Sequence, residues 1–275
     1  MAEIFNQILL ATERTEFDAG AERLAFALAA RCGKPLMATI PVVSNPEYET
    51  IAPALAQRRD EEIGQQMDAL HAIADRAGVS LDATVRHGQE PFAEIVDEAQ
   101  ARGADLIVIR RRGKRGFFAK LLVGEMVSKV IGHAPCSVLI VPRAAQMWSK
   151  TLLIATDGSE NGGRACRLAG AIAKQCGMAV TVVSAAAESA SDERRRLAQE
   201  HADHAAATLR ASELSVSAQM RAGKPHDVIL GVARETGADL IVVGRSGRSS
   251  VERVLLGSTA ERVAGFAECP VLIAQ

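Results

Sequence analysis

An internal duplication limits what this chain can fold into more than any other feature. Ile8-Leu-Leu-Ala-Thr12 returns as Leu152-Leu-Ile-Ala-Thr156, 144 residues on, and Cys32-Gly33 returns as Cys176-Gly177 at the same offset. Gly103-Ala-Asp-Leu-Ile-Val108 returns as Gly237-Ala-Asp-Leu-Ile-Val242 at an offset of 134, and Cys136-Ser-Val-Leu-Ile140 as Cys269-Pro-Val-Leu-Ile273 at 133. The falling offset puts about ten extra residues in the middle of the first copy and one more in its later glycine loop. Each copy is long enough to be a domain, which divides the chain into 1–145 and 149–275.

Within a copy, apolar β-branched runs alternate with helical stretches. In the first, strands are expected near 7–12, 35–42, 80–86, 105–109 and 137–141, with helices near 19–32, 51–77, 91–101 and 125–131. Gly78 stands as the stop signal of the long second helix. Five such strands with helices between them predict an α/β domain with a five-stranded parallel sheet covered on both faces. Ligands of such sheets lie beyond the carboxyl ends of the strands. Residues 143–150 join the copies and hold the only tryptophan, Trp148, which is expected to pack in the seam.

Composition narrows the function classes. The chain is 48% hydrophobic and 24% charged, which suits a packed core in water. A net charge of −1 offers no field toward nucleic acid or anionic membrane, and 3% aromatics are too few for base stacking. No apolar run reaches the length of a membrane span, and the first residues lack a secretory signal, so a cytoplasmic protein is expected. Cys32, Cys136, Cys166, Cys176 and Cys269 form no C-x-x-C pair and read as small buried hydrophobes. His201 and His204 lie three apart on a helix without an evident third metal ligand.

The chemistry concentrates in the second copy. The strand at 239–243 empties into Gly244-Arg-Ser-Gly247, and nine residues later comes Gly257-Ser258-Thr259 at a helix start. Glycines let backbone N–H groups approach an anion, and a helix N-terminus adds unpaired donors and a positive dipole end. The alternative is an ordinary loop, with Ser258 and Glu261 forming a capping box. Asp157, after the first strand of this copy, can accept from a ribose or base, hold part of a Mg2+ shell, or close an Asx turn before the next helix.

Gly-x2-Gly-x9-Gly-Ser, placed after a core strand and before the last strand, resembles the ATP-binding signature of the universal stress protein family. The resemblance covers both copies and implies two tandem Rossmann-like domains that bind adenine nucleotides. It implies a nucleotide site of Thr156, Asp157, Ala185, Gly244, Arg245, Gly247, Gly257, Ser258 and Thr259, with ATP as ligand and Asp157 as the contact to Mg2+. Backbone at 183–185 would then face the adenine. Gly244 and Gly247 would bracket the phosphates, with Gly257 and Ser258 closing over the terminal one. Arg245 and Arg248 are either phosphate neighbours or solvated charges.

The first copy departs from this pattern. Glu13 and Arg14 replace Asp-Gly, Arg110 replaces the first loop glycine, ten residues rather than nine separate Gly113 from Gly124, and Glu125 replaces the serine. A carboxylate aimed at the phosphate position repels it, so this half is expected to bind ATP poorly or not at all. The run 110–115 either binds another anion or, as we prefer, pairs with Glu125 and fills the pocket. Family members often dimerise through their last strands, which here implies internal pairing of 137–141 with 271–274, a pseudo-dimer within one chain, with a homodimer as a further step.

The expected function is stress-response regulation by a protein that binds ATP in its second domain, its first domain being structural or partner-binding toward an unnamed protein. A slow ATPase or nucleotide-dependent enzyme, and a nucleotide-free scaffold, are the alternatives. No Ser/His/Asp or Cys/His arrangement, no Walker-type Gly-Lys-Ser/Thr and no Ser-Gly-Gly-x-Asp pattern supports an enzyme.

Overall fold

The computed structural model describes residues 4–44, 51, 53–111, 124–247 and 256–275. In the first unit the order is β1 (Ile8–Ala11), α1 (Ala19–Cys32), β2 (Leu36–Val43), α2 (Pro53–Ala77), β3 (Leu81–Gly88), α3 (Pro91–Ala101), β4 (Leu106–Arg110), α4 (Glu125–His133) and β5 (Ser137–Val141). The second unit repeats it with β6 (Thr151–Ala155), α5 (Glu160–Cys176), β7 (Ala179–Ala186), α6 (Asp192–Arg210), β8 (Val216–Ala222), α7 (Pro225–Thr236), β9 (Leu240–Gly244), α8 (Ser258–Phe266) and β10 (Val271–Ala274). The expected elements are all present, with ends shifted by one or two residues. β3, for example, runs to Gly88 because it pairs with β2 along its whole length.

All strands join one ten-stranded sheet in the order β3-β2-β1-β4-β5-β10-β9-β6-β7-β8. Every neighbouring pair is parallel except β5 with β10, which run antiparallel with Leu139 opposite Leu272. The two last strands therefore pair inside one chain, and the sheet order reads outward identically from this seam. Both faces are covered because β-α-β crossovers carry helices over each side of a parallel sheet. Alternate residues of a strand feed different cores: Ile8 and Leu10 belong to the one that includes residues of α1, α2, α5 and α6, whereas Leu9 and Ala11 belong to the one that includes residues of α3, α4, α7 and α8.

Both cores run across the seam. Leu139 and Leu272 lie in one, and Val138, Ile140, Val271 and Ile273 in the other, all nearly inaccessible to solvent. Burying such a side chain from water contributes roughly 1.5–3 kcal/mol to folding. Trp148 sits in the first of these cores with 1% of its surface exposed, as expected of a seam residue. The connector is tied to the first unit by Arg23, whose guanidinium donates to the carbonyls of Arg143 and Ala145, both at 2.9 Å. No helix among the described residues is long and apolar enough to cross a membrane.

Candidate functional site

A cavity of about 330 Å3 lies at the carboxyl ends of β6, β7 and β9, against the first turns of α7 and α8. Thr156, Asp157, Ala185, Gly244, Gly247, Gly257, Ser258 and Thr259 all line it, although they are spread over more than a hundred residues of sequence. Three parallel strands end side by side here, so the segments that follow them meet.

The turn after β6 is built by its own side chains. Thr156 Oγ1 accepts from Gly158 N (3.2 Å), and Asp157 Oδ1 accepts from Ser159 N (3.0 Å), which closes an Asx turn. Gly158 takes φ +73° there, a left-handed conformation that costs glycine little. Ser159 then caps α5 by accepting from Gly162 N (3.1 Å). Asp157 Oδ2 points the other way, to 2.6 Å from where a Cβ on Gly247 would stand. The Asx turn is thus formed, and one carboxylate oxygen still reaches the mouth of the glycine loop.

The loop glycines differ in what they do. A Cβ on Gly244 would lie 2.8 Å from the backbone carbon of Asn161, so β9 and the first turn of α5 can approach only without a side chain here. Gly244→Ala should cost about 1–3 kcal/mol, the range for overpacking, read as a lowered urea midpoint. A loss under a few tenths of a kcal/mol would leave ligand approach as the reason for this glycine. Gly257 comes against the opposite turn: its N–H donates to Arg245 O (2.9 Å), and a Cβ on it would sit 3.2 Å from Ser246 Cα. Asn161 completes the frame by donating to Ser246 O (3.1 Å) and Oγ (2.8 Å). Asn161 and Ser246 went unnoticed in the sequence because single polar residues in a first turn and a loop carry no spacing signal.

The capping box expected at Ser258 is not formed. Gly257 is the N-cap residue and has no side chain to offer, whereas Ser258 is already the first helical residue and turns into the cavity. The first N–H groups of α8 have no acceptor within the helix and face the cavity with the positive end of the helix dipole. Among the described residues that line the cavity there is no lysine or arginine, and the one carboxylate is Asp157. An anion here would be met by backbone donors and hydroxyls. A Mg2+ ion suits this set, since Mg2+ keeps several waters and takes one or two carboxylates plus substrate phosphates.

Arg245 departs from both expectations for it, as phosphate neighbour and as solvated charge. It does not line the cavity; its side chain crosses to the first unit, 3.2 Å from Gln275 Oε1 and 3.5 Å from Gly132 O. Burial lowers its pKa. Arg248 and Gly113 lie outside the described residues.

In the first unit Arg110, which stands at the place of the first loop glycine, is drawn into ion pairs, while residues 112–115 of the run expected to pair with Glu125 lie outside the described residues. Arg110 turns back toward the end of β1, with Nη2 2.6 Å from Glu13 Oε2 and Nε 3.2 Å from Asp18 Oδ1. Glu125 instead pairs with Lys129 at 3.2 Å. The reason is geometric: β4 lies beside β1, so Arg110 reaches the β1–α1 turn. Arg14 holds φ +54° where the second unit has Gly158, and its side chain pairs with buried Glu22, whose carboxyl burial pushes up.

Of the cysteines expected to be buried, Cys136 and Cys166 are, whereas Cys32, Cys176 and Cys269 are half-buried. Burial pushes the thiols of Cys136 and Cys269 up to about 12 and that of Cys166 to about 11. His201 and His204 share α6, and among the described residues no group of three or more His, Cys, Asp or Glu side chains could hold a metal.

Comparison with known proteins extends the duplication beyond this chain. The family model described as the universal stress protein family matches residues 5–142 and again 149–275. A universal stress protein of Thermus aquaticus is 35% identical over 133 residues, which is 45% of this chain and 97% of that protein. A universal stress protein of Methanocaldococcus jannaschii is 45% identical over 60 residues, 22% of this chain and 35% of that protein, so the chain spans only about a third of that relative. Among solved structures, a universal stress protein from Archaeoglobus fulgidus superposes with a TM-score of 0.70 at 22% identity, covering 98% of this chain and 96% of that one, a likeness of fold.

Proposed function

This chain belongs to the universal stress protein family in both of its halves, and we propose that it binds one adenine nucleotide, ATP, in its second domain as a stress-response regulatory protein. The observation that carries this reading is one cavity that brings together eight of the site residues named from the sequence, drawn from Thr156 to Thr259, with a helix N-terminus lacking a side-chain cap on one side. In this reading residues 149–275 form the binding domain, and residues 1–145 form a domain in which Arg110, paired with Glu13, takes the place of the first loop glycine.

Backbone at 183–185 and the apolar side chains of Val243 and Ile229 receive the adenine. Asp157 accepts from the ribose or holds one position of a Mg2+ shell. Gly247 and Gly257 let their backbone come close to the phosphates, and Ser258 and Thr259 add hydroxyl donors beside the first N–H groups of α8. Mg2+ would neutralise phosphate charge that no lysine or arginine among the described lining residues meets. The cavity volume lies at the lower end of the range for small-molecule sites, about 300–1,000 Å3.

Titration calorimetry with ATP and Mg2+ tests this. One ATP per chain is expected. Two per chain would overturn the assignment of binding to the second domain alone, and none would leave a nucleotide-free scaffold. Sustained phosphate release that vanishes on mutation of Gly257 would replace regulation by an enzymatic function.

A further inference from the structure

We infer that Arg245 is a positioning residue through which the first unit holds residues 244–247 and Gly257 of the second in their relative places; the inference rests on the nucleotide reading only for its functional consequence. Arg245 belongs to the loop by its backbone and to the other unit by its side chain. Its N–H donates to Ala274 O (3.3 Å) and its carbonyl accepts from Gly257 N (2.9 Å), so it is the backbone link between the two glycine turns of the cavity. Its guanidinium lies beyond the seam, against Gly132 O in the last turn of α4 and Gln275 Oε1. Gln275 is itself fastened to the first unit, donating from its side chain to Ala134 O and from its backbone to Ser137 Oγ (3.3 Å).

The internal repeat supplies a control within the same molecule. Arg111 occupies the matching place in the first unit, 134 residues earlier. Its N–H donates to Val141 O (2.8 Å), and its guanidinium crosses the seam the other way to the carbonyl of Ala267, the C-cap of α8. Burial lowers the pKa of both arginines. Each unit thus satisfies a helix C-terminus of the other with an arginine, a favourable place for a cation. Arg245 does not itself line the cavity, but its carbonyl holds Gly257, which does. The first unit then acts as the clamp on the site of the second, and occupancy there is coupled to α4 across the seam.

The test uses the full chain with Arg245→Gln, Arg245→Lys and the mirror variant Arg111→Gln. Hydrogen exchange of the Gly257 amide, measured without nucleotide, should quicken about tenfold in Arg245→Gln and stay near wild type in Arg111→Gln. ATP affinity should fall about tenfold in Arg245→Gln, a typical coupling, and recover in Arg245→Lys, which keeps a donor for Gly132 O. Both glutamine variants should lose similar thermal stability, so a merely structural role would move them together. Equal effects in the two, or an unchanged Gly257 amide in Arg245→Gln, would overturn the inference. If the wild type binds no ATP, the nucleotide reading fails, while the exchange measurement still decides this one.

Discussion

Ser258→Glu is expected to weaken ATP binding by at least about 100-fold, since juxtaposed like charges cost several kcal/mol, while leaving the unfolding midpoint unchanged or slightly raised. Ser258 is the first residue of α8 and lines the cavity. A carboxylate at that position is favourable to the helix itself by about 0.3–1 kcal/mol through the dipole. The same charge stands where the terminal phosphate would be held. Affinity and stability should therefore move in opposite directions, which separates this variant from one that simply unfolds. The chain already contains the experiment in its other half, where Glu125 opens α4 after Gly124. Ser258→Ala, which removes a single hydroxyl donor, should cost only about 0.5–1.5 kcal/mol in binding. If calorimetry found the glutamate variant within tenfold of wild type, the anion would not sit at the start of α8.

Arg110→Ala should be among the most damaging single substitutions in the first unit. Asp18 is inaccessible to solvent and lies within ion-pair distance of Arg110, which also engages Glu13. Removing one partner of a buried pair leaves an uncompensated charge, at a cost of about 3–5 kcal/mol. Asp18 Oδ2 keeps two donors from Thr15, at 2.9 and 2.6 Å, which places the expected loss near the lower end. Urea unfolding measures it, and a loss under about 1 kcal/mol would mean that the Thr15 donors suffice alone. The variant should not gain an ATP site, because two carboxylates then remain in the emptied space and oppose an anion. Calorimetry on the same sample checks that second point.

What was legible in the sequence is what depends on local pattern. Apolar runs and their repeat identified the strands and the sheet, because a strand buried on both faces must be apolar throughout; the pairing of the last strands was implied by the family resemblance. The cavity was legible because loops after neighbouring parallel strands meet at one end. What was not legible is where long side chains go. Arg245 and Arg110 sit in nearly the same local context, yet one crosses to Gly132, 113 residues away, and the other folds back to Glu13, 97 residues away. Nothing in the spacing of residues around an arginine encodes a carbonyl on another unit. Gly244 shows the converse: its glycine was read as room for a phosphate, and the backbone of Asn161 is the nearer reason. The start of α8 shifted by one residue, from Ser258 as cap to Gly257, and that small change turns a helix-capping hydroxyl into one available to a ligand.

The antiparallel junction of β5 and β10 has one more consequence. In a dimer of identical chains, every substitution appears on both sides of the axis, so a pocket cannot be surrendered on one side and kept on the other. Joining the halves covalently removes that constraint. Arg110 can pair with Glu13 in one half while Gly244 lets Asn161 approach in the other, and Arg111 and Arg245 can keep the same kind of bond for different ends. The tether also makes association independent of protein concentration, so the asymmetric arrangement survives at any dilution. A molecule built this way is free to specialise its halves, one to hold and one to respond.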